Sequence, residues 1–242
     1  MLSNFLRRVG LQQASAARQE QVKELFILLW TRLLDGHKVD GLVPMREAIG
    51  ALSAVLGESC FVMGTQFDLQ TASFGAPVKV INTGHGEPAL PEFAIGQTVM
   101  AESVVERLKV VDKALRRILP FAAKAYPELS SVIGFAASNT GRAAPGFVSL
   151  SVGWPDRPRR MPLREAFDTR HDLMQITGFA DMTPEDCIDV VIRTLVRVFE
   201  TSTQFAPEIP LRVVYEVMCG MAMLVPVPRA FWMEPGTPIG RL

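Results

Sequence analysis

The stretch from Ser15 to Leu34, SAARQEQVKELFILLWTRLL, sets Val22, Leu25, Phe26, Leu29, Trp30 and Leu33 three and four residues apart. That spacing returns apolar side chains to one face of a 3.6-residue helix and predicts an amphipathic helix, with Gly36 as its stop. LFILLW is hydrophobic almost all round, so its surplus face needs cover from the sheet expected below or from another subunit. VPMREAIGALSAVLG repeats the pattern. Pro44 suits a first turn, and Met45, Ala48, Ile49, Leu52, Val55 and Leu56 keep the spacing up to Gly57.

Beyond Gly57 the period shortens. CFVMGTQ, FDLQTASF and VKVINTG are short runs of β-branched and aromatic residues separated by Gly, Asp or Gly-Ala-Pro, and they predict a three-strand meander. The helical period returns over residues 98–119, with Val104, Leu108, Val111, Leu115, Ile118 and Leu119 as the apolar stripe. Glu102 near the start and Arg116 and Arg117 near the end complement the helix dipole, and Pro120 ends or kinks the element. SVIGFAAS and FVSLSVGW, joined by the turn-rich NTGRAAPG, predict a two-strand hairpin. PLREAFDTRHDLMQI reads as a helix. At TPED, Thr183 is placed as N-cap, Pro184 at the first helical position, and Glu185 and Asp186 at the positive end of a helix through Ile188 to Phe199. IPLRVVYEVMCGMAML reads as a last helix, and residues 226–242 as a Pro-rich extended tail.

The expected fold class is therefore α+β: an antiparallel sheet of about five strands, meander plus hairpin, packed against several amphipathic helices. One domain spans residues 1–242, with 1–43 as an N-terminal helical segment. Over about residues 44 to 202 the element order, helix, three strands, helix, two strands and helix, resembles that of type III secretion chaperones and the sensory-regulator-like domains that share their fold. The resemblance implies a chaperone-like role in binding other protein, and fold alone does not fix function.

Charge balance narrows the partners. Twenty-five Lys plus Arg equal twenty-five Asp plus Glu, so no global field steers the chain to nucleic acid or an anionic membrane. Cys60, Cys187 and Cys219 are odd in number, distant from one another and set among apolar neighbours, which predicts buried free thiols in a reducing compartment. LFILLW and VMCGMAMLVPVP are both shorter than the roughly 20 apolar residues of a membrane span, and the N-terminus lacks a signal peptide's apolar region. A cytoplasmic location is the expectation.

Four groups of residues bear on function. RPRRMPLR places Arg157, Arg159, Arg160 and Arg164 just before and inside the first turn of a helix, where an anion is a possible ligand and pairing with acidic residues of this chain or a partner is the simpler expectation. In the following helix Glu165, Asp168 and Asp172 share a face, read as solvated. NTGHGEP follows an expected strand, and its glycines bring His85 and Glu87 within reach of a ligand loop. Trp154 and the tail cluster Phe231, Trp232 and Met233 are large apolar anchors of the kind that fill a groove on a partner.

HExxH, CxxC, GxSxG and a P-loop pattern do not occur, and the sequence implies no metal and no cofactor. The reading is a non-enzymatic, self-associating or partner-binding protein: an adaptor, a chaperone-like component or a structural subunit. The alternatives are a small hydrolase or transferase with its site between the His85 loop and the Arg157–Arg164 loop, and anion or nucleic-acid binding through the arginine stretch.

Overall fold

Helices build the protein. The computed structural model describes residues 16–36, 44–68, 73–74, 80–81, 92–93, 102–139, 147–153, 157–158, 160, 162, 164–166, 168–169, 183–201 and 206–224. Six α-helices of regular length lie among them: α1 (Ala16–Gly36), α2 (Met45–Thr65), α3 (Glu102–Ile118), α4 (Leu129–Asn139), α5 (Pro184–Thr201) and α6 (Glu208–Met221). A 3-10 turn, Pro120–Ala122, sits between α3 and α4.

At the centre stands α2, which packs against α3, α5 and α6. Every residue from Glu47 to Glu58 is buried, as are Cys60, Phe61, Gly64 and Thr65. A helix surrounded on all sides has no solvated face: α2 is mostly apolar, and its carboxylates Glu47 and Glu58 are buried with the rest. It is the one described helix long and apolar enough to cross a membrane, and most of it is covered by its neighbours within the fold. Two glycines set how closely they approach. A Cβ on Gly57 would lie 2.3 Å from the Met218 carbonyl oxygen of α6, and one on Gly64 would lie 2.7 Å from Cα of Val104 in α3. Both helix crossings bring backbone against backbone at a position only glycine can fill.

The outer helices bury one stripe each. In α1, Val22, Leu25, Leu29 and Leu33 are buried, and the helix packs on α5. Val104, Leu108, Val111 and Leu115 form the covered stripe of α3, whose start is tied to the end of α2 by a 2.6 Å hydrogen bond from Ser103 Oγ to the Gly64 carbonyl. The start of α5 carries a reciprocal cap. The Asp186 amide donates to Thr183 Oγ1 at 3.3 Å, and the Thr183 amide donates to Asp186 Oδ2 at 2.9 Å, so two donors left over at a helix start are satisfied. Of α6, Leu211 and all residues from Val213 to Cys219 are buried.

The five-stranded sheet is not found, and α+β is corrected to a helical fold. Among the described residues, β structure amounts to two antiparallel pairs of two residues each: β1 (Phe67–Asp68) with β2 (Ser73–Phe74), and β3 (Val80–Ile81) with β4 (Glu92–Phe93). CFVMGTQ, the first expected strand, is the end of α2. Gly57 does not stop that helix because it is a packing position, and the helix ends eight residues later, where Gln66 adopts a left-handed conformation with φ of 51°. SVIGFAAS lies in α4, where Val132 and Ala136 are buried one turn apart, and α4 packs on α6. FVSLSVGW is not a strand over its described residues 147–153, which run without regular structure along α6. The element order behind the chaperone resemblance is thereby lost. The tail at 226–242 lies outside the described residues.

Candidate functional site

The arginine connector is anchored to its own chain. Arg157 donates from Nε to the Val152 carbonyl at 2.5 Å and from its terminal nitrogen to the Leu150 carbonyl at 2.7 Å, so its guanidinium ties down the irregular segment 147–153. Pro158 sits against Gly50 of α2, where a Cβ would meet it at 2.7 Å. The Arg160 amide donates to Glu47 Oε2 at 3.3 Å, and its guanidinium lies 3.4 Å from Glu165 Oε1. Arg164 lies 3.4 Å from Asp168 Oδ2. Glu165, read from sequence as part of a solvated face, is instead buried. The described cations of this stretch thus face carbonyls and carboxylates of this protein.

Other residues singled out from the sequence lie outside the described residues: Arg159, His85, Glu87, Trp154, Phe231, Trp232 and Met233. So does any meeting of the His85 loop with the arginine connector.

Two polar clusters are buried between helices. Glu216 of α6 is almost wholly buried. Its carboxylate accepts from the Ser151 amide at 2.7 Å, from Ser151 Oγ at 2.5 Å and from Arg212 Nε at 2.8 Å. On the other side of α6, the Tyr215 hydroxyl donates to Asp112 of α3, which also accepts from Arg116 Nε at 2.7 Å. Arg116 stacks over the Tyr126 ring at 4.8 Å, and the Tyr126 hydroxyl donates to the Leu115 carbonyl at 2.7 Å. Burial raises the pKa of both tyrosines, so both stay neutral donors. These clusters tie α6 to segment 147–153 and to α3.

The thiols are quiet as well. Burial pushes Cys60 up to about 12 and Cys187 up to about 11, and raises Cys219. None is poised as a thiolate. Among the described residues no group of three or more His, Cys, Asp or Glu side chains is placed to hold a metal.

Between α3 and α5 lies an open groove of about 400 Å³. Its α3 wall is the row Val110, Ala114 and Ile118, spaced i, i+4, i+8, which runs from the exposed face at Val110 to the edge of the buried stripe, whose Val111 also lines the groove. Its α5 wall is Ile188 and Ile192, also one turn apart, and Met63 of α2 closes the floor. Val110 is 61% exposed, which is unusual for a valine on a helix whose other face is fully packed. Charge edges the apolar rows. Arg107, Lys113 and Arg117 line the α3 side, all exposed, and Glu185 reaches toward Arg107 at 3.9 Å across one end. On the α5 side Asp189 is held at 2.7 Å by Arg193, with burial raising its pKa against the pull of that guanidinium.

Compared with known proteins, the chain matches no family model, no curated protein and no solved structure.

The groove was not anticipated from the sequence, yet its signal is present there. On a helix at 100° per residue, Val110 falls well outside the arc of Val104, Leu108, Val111 and Leu115, while Lys113 and Arg117 fall beside it. An apolar residue off the stripe, flanked by cations, marks a second face.

Proposed function

We propose that this chain works by binding other protein, as a subunit or adaptor of an assembly, through the groove between α3 and α5. The observation that carries the reading is exposed Val110 next to the partly buried Ala114, Ile118 and Ile188 along one trough. Val110, Ala114 and Ile118 face Ile188 and Ile192 across a trough with a charged edge, the form that receives the apolar face of an amphipathic helix at i, i+3 and i+4 positions. The anion-binding alternative loses support because Arg157, Arg160 and Arg164 are engaged within the chain. The His85 loop on which the enzyme alternative rests lies outside the described residues.

The test is purification of the full chain, under native conditions, followed by native mass spectrometry of what stays bound. Wild type is expected to retain protein, another chain or itself, in fixed ratio, and Val110→Arg with Ile188→Arg to lose it while keeping its helical circular dichroism. A wild-type chain that holds no protein, or a double variant that holds it unchanged, overturns the reading.

A further inference from the structure

We infer that segment 147–153 is a releasable strap, and that the face of α6 beneath it is a second binding site for a short segment of a partner protein with apolar residues at alternate positions around a serine. The strap occupies that site in the partner's place. Val148, Leu150 and Val152 are half-buried against the core, while Ser151 and Gly153 are exposed. α6 receives these residues as a peptide is received. Gly220 leaves room for Val148, since a Cβ there would meet Val148 Cβ at 2.7 Å. One turn earlier, the Glu216 carboxylate takes the Ser151 amide and hydroxyl together. Main-chain donors supply affinity in such a contact and side-chain notches supply selectivity. The site shares no residue with the lining of the α3–α5 groove.

The backbone of the strap is not woven into the fold. Among the described residues, 147–153 makes no backbone-to-backbone hydrogen bond. Its polar links each use a side chain: the Ser149 hydroxyl donates to the Asn139 carbonyl at the end of α4 at 3.2 Å, the Leu150 and Val152 carbonyls accept from Arg157, and Ser151 is held by Glu216 and Arg212. A segment held by a few side-chain bonds and half-buried apolar groups opens at a lower free energy than the helices on which it lies. Release does not strand a charge. Arg212, whose side chain is 47% exposed, stays at 2.8 Å from Glu216, so the carboxylate left behind remains paired. A partner segment bringing the same amide, hydroxyl and apolar groups replaces the strap like for like. Its apparent affinity is then reduced by the fraction of molecules in which the strap is closed.

The probe is a labelled synthetic peptide with the sequence of residues 147–153, FVSLSVG, titrated against the full chain by fluorescence anisotropy. Ser151→Pro with Arg157→Ala removes the strap's grip and leaves α6 as it is. That variant is expected to bind the peptide at least tenfold more tightly than wild type. Adding Glu216→Gln should reverse the gain, and a peptide carrying the Ser151→Pro change should bind neither protein. A loosened variant that binds the peptide no better than wild type, or binding that Glu216→Gln leaves unchanged, overturns the inference. Self-association of the loosened variant through Glu216 would give the site to a second copy and overturn the choice of partner.

Hydrogen exchange of wild type tests the strap without any substitution, and decides the matter should the loosened variant fail to fold. The Ser151 amide is expected to exchange by an opening that leaves the Val214 and Val217 amides of α6 protected. Exchange of Ser151 only together with those amides overturns the strap.

Discussion

Ser151 gives both its amide and its hydroxyl to one buried carboxylate, that of Glu216, at 2.7 and 2.5 Å. Sixty-five residues apart in sequence, the two fix the irregular segment 147–153 onto α6, and Arg212 neutralises the charge from the solvent side. Three donors make the buried carboxylate tolerable, and hydrogen bonds to a charged group are the stronger kind to lose. Glu216→Ala is therefore expected to lower unfolding free energy by about 2–4 kcal/mol, and Ser151→Ala, which keeps the amide bond, by about 1 kcal/mol. Urea unfolding followed by circular dichroism measures both. Equal losses from the two variants would show that the carboxylate is not the hub.

Gly57 and Gly134 should respond with opposite signs to the same change. Alanine is the better helix former by about 1 kcal/mol, and both positions are helical. At Gly134 of α4 an added Cβ meets nothing within 4 Å, so Gly134→Ala is expected to stabilise by about 0.5–1 kcal/mol. At Gly57 it meets the Met218 carbonyl at 2.3 Å, Met221 Cβ at 2.7 Å and the Ala222 nitrogen at 3.1 Å. Backbone cannot yield as a side-chain tip does, so Gly57→Ala should separate α2 from α6 and cost about 2 kcal/mol or more despite its propensity gain. Thermal midpoints of the two variants decide the matter. A neutral Gly57→Ala would mean the two helices are not in backbone contact.

That glycine also explains why the sequence suggested a sheet. Where an apolar stripe is interrupted by polar residues, as in α1, α3, α5 and α6, the three-and-four spacing located each helix to within a few residues, and TPED marked the start of α5. In α2 the signal fails because the helix is covered on all sides, and in α4 because a short helix with only Val132 and Ala136 buried gives too few apolar positions to set the period. Gly57 reads as a stop when it is a packing contact, and Val132, Ile133 and Phe135 read as strand residues when they belong to a short helix against α6. The groove escaped notice for a related reason. In the sequence Ile188 is one apolar residue of the run through Phe199, and only the position of α3 opposite it makes that partly buried residue line a trough.

Raised pKa values give the fold an alkaline weakness. Burial pushes Cys60 up to about 12 and Cys187 up to about 11, and raises Cys219, Tyr126 and Tyr215. In the unfolded chain these groups ionise near their ordinary values, about 8.5 for Cys and about 10 for Tyr. Above those values the unfolded state binds fewer protons than the native state, so stability falls as pH rises. The contribution is fully present below about pH 8.5 and is lost progressively toward pH 11 and 12. Urea midpoints between about pH 7.5 and 10.5 should fall steadily from the thiol range upward. Replacing all three cysteines by alanine, after allowance for its own loss at pH 7.5, should delay the fall to the tyrosine range. A wild-type profile flat to pH 10.5 would contradict the burial of these groups.

Arg157 is best understood as a clamp. Its guanidinium satisfies the carbonyls of Leu150 and Val152, on either side of the Ser151 that Glu216 holds. Neighbouring Arg160 is placed between Glu47 of α2 and Glu165. A cation already spent on internal acceptors releases few counterions on meeting a polyanion, and salt dependence of binding scales with the cations that engage phosphate. Retention on heparin should thus be weak for wild type and change little in Arg157→Ala or Arg160→Ala. Stability, in contrast, should drop by about 1 kcal/mol in Arg157→Ala, which strands two carbonyls. The opposite pattern, unchanged unfolding with retention that salt abolishes and the substitutions weaken, would return the arginine stretch to the role of an anion site.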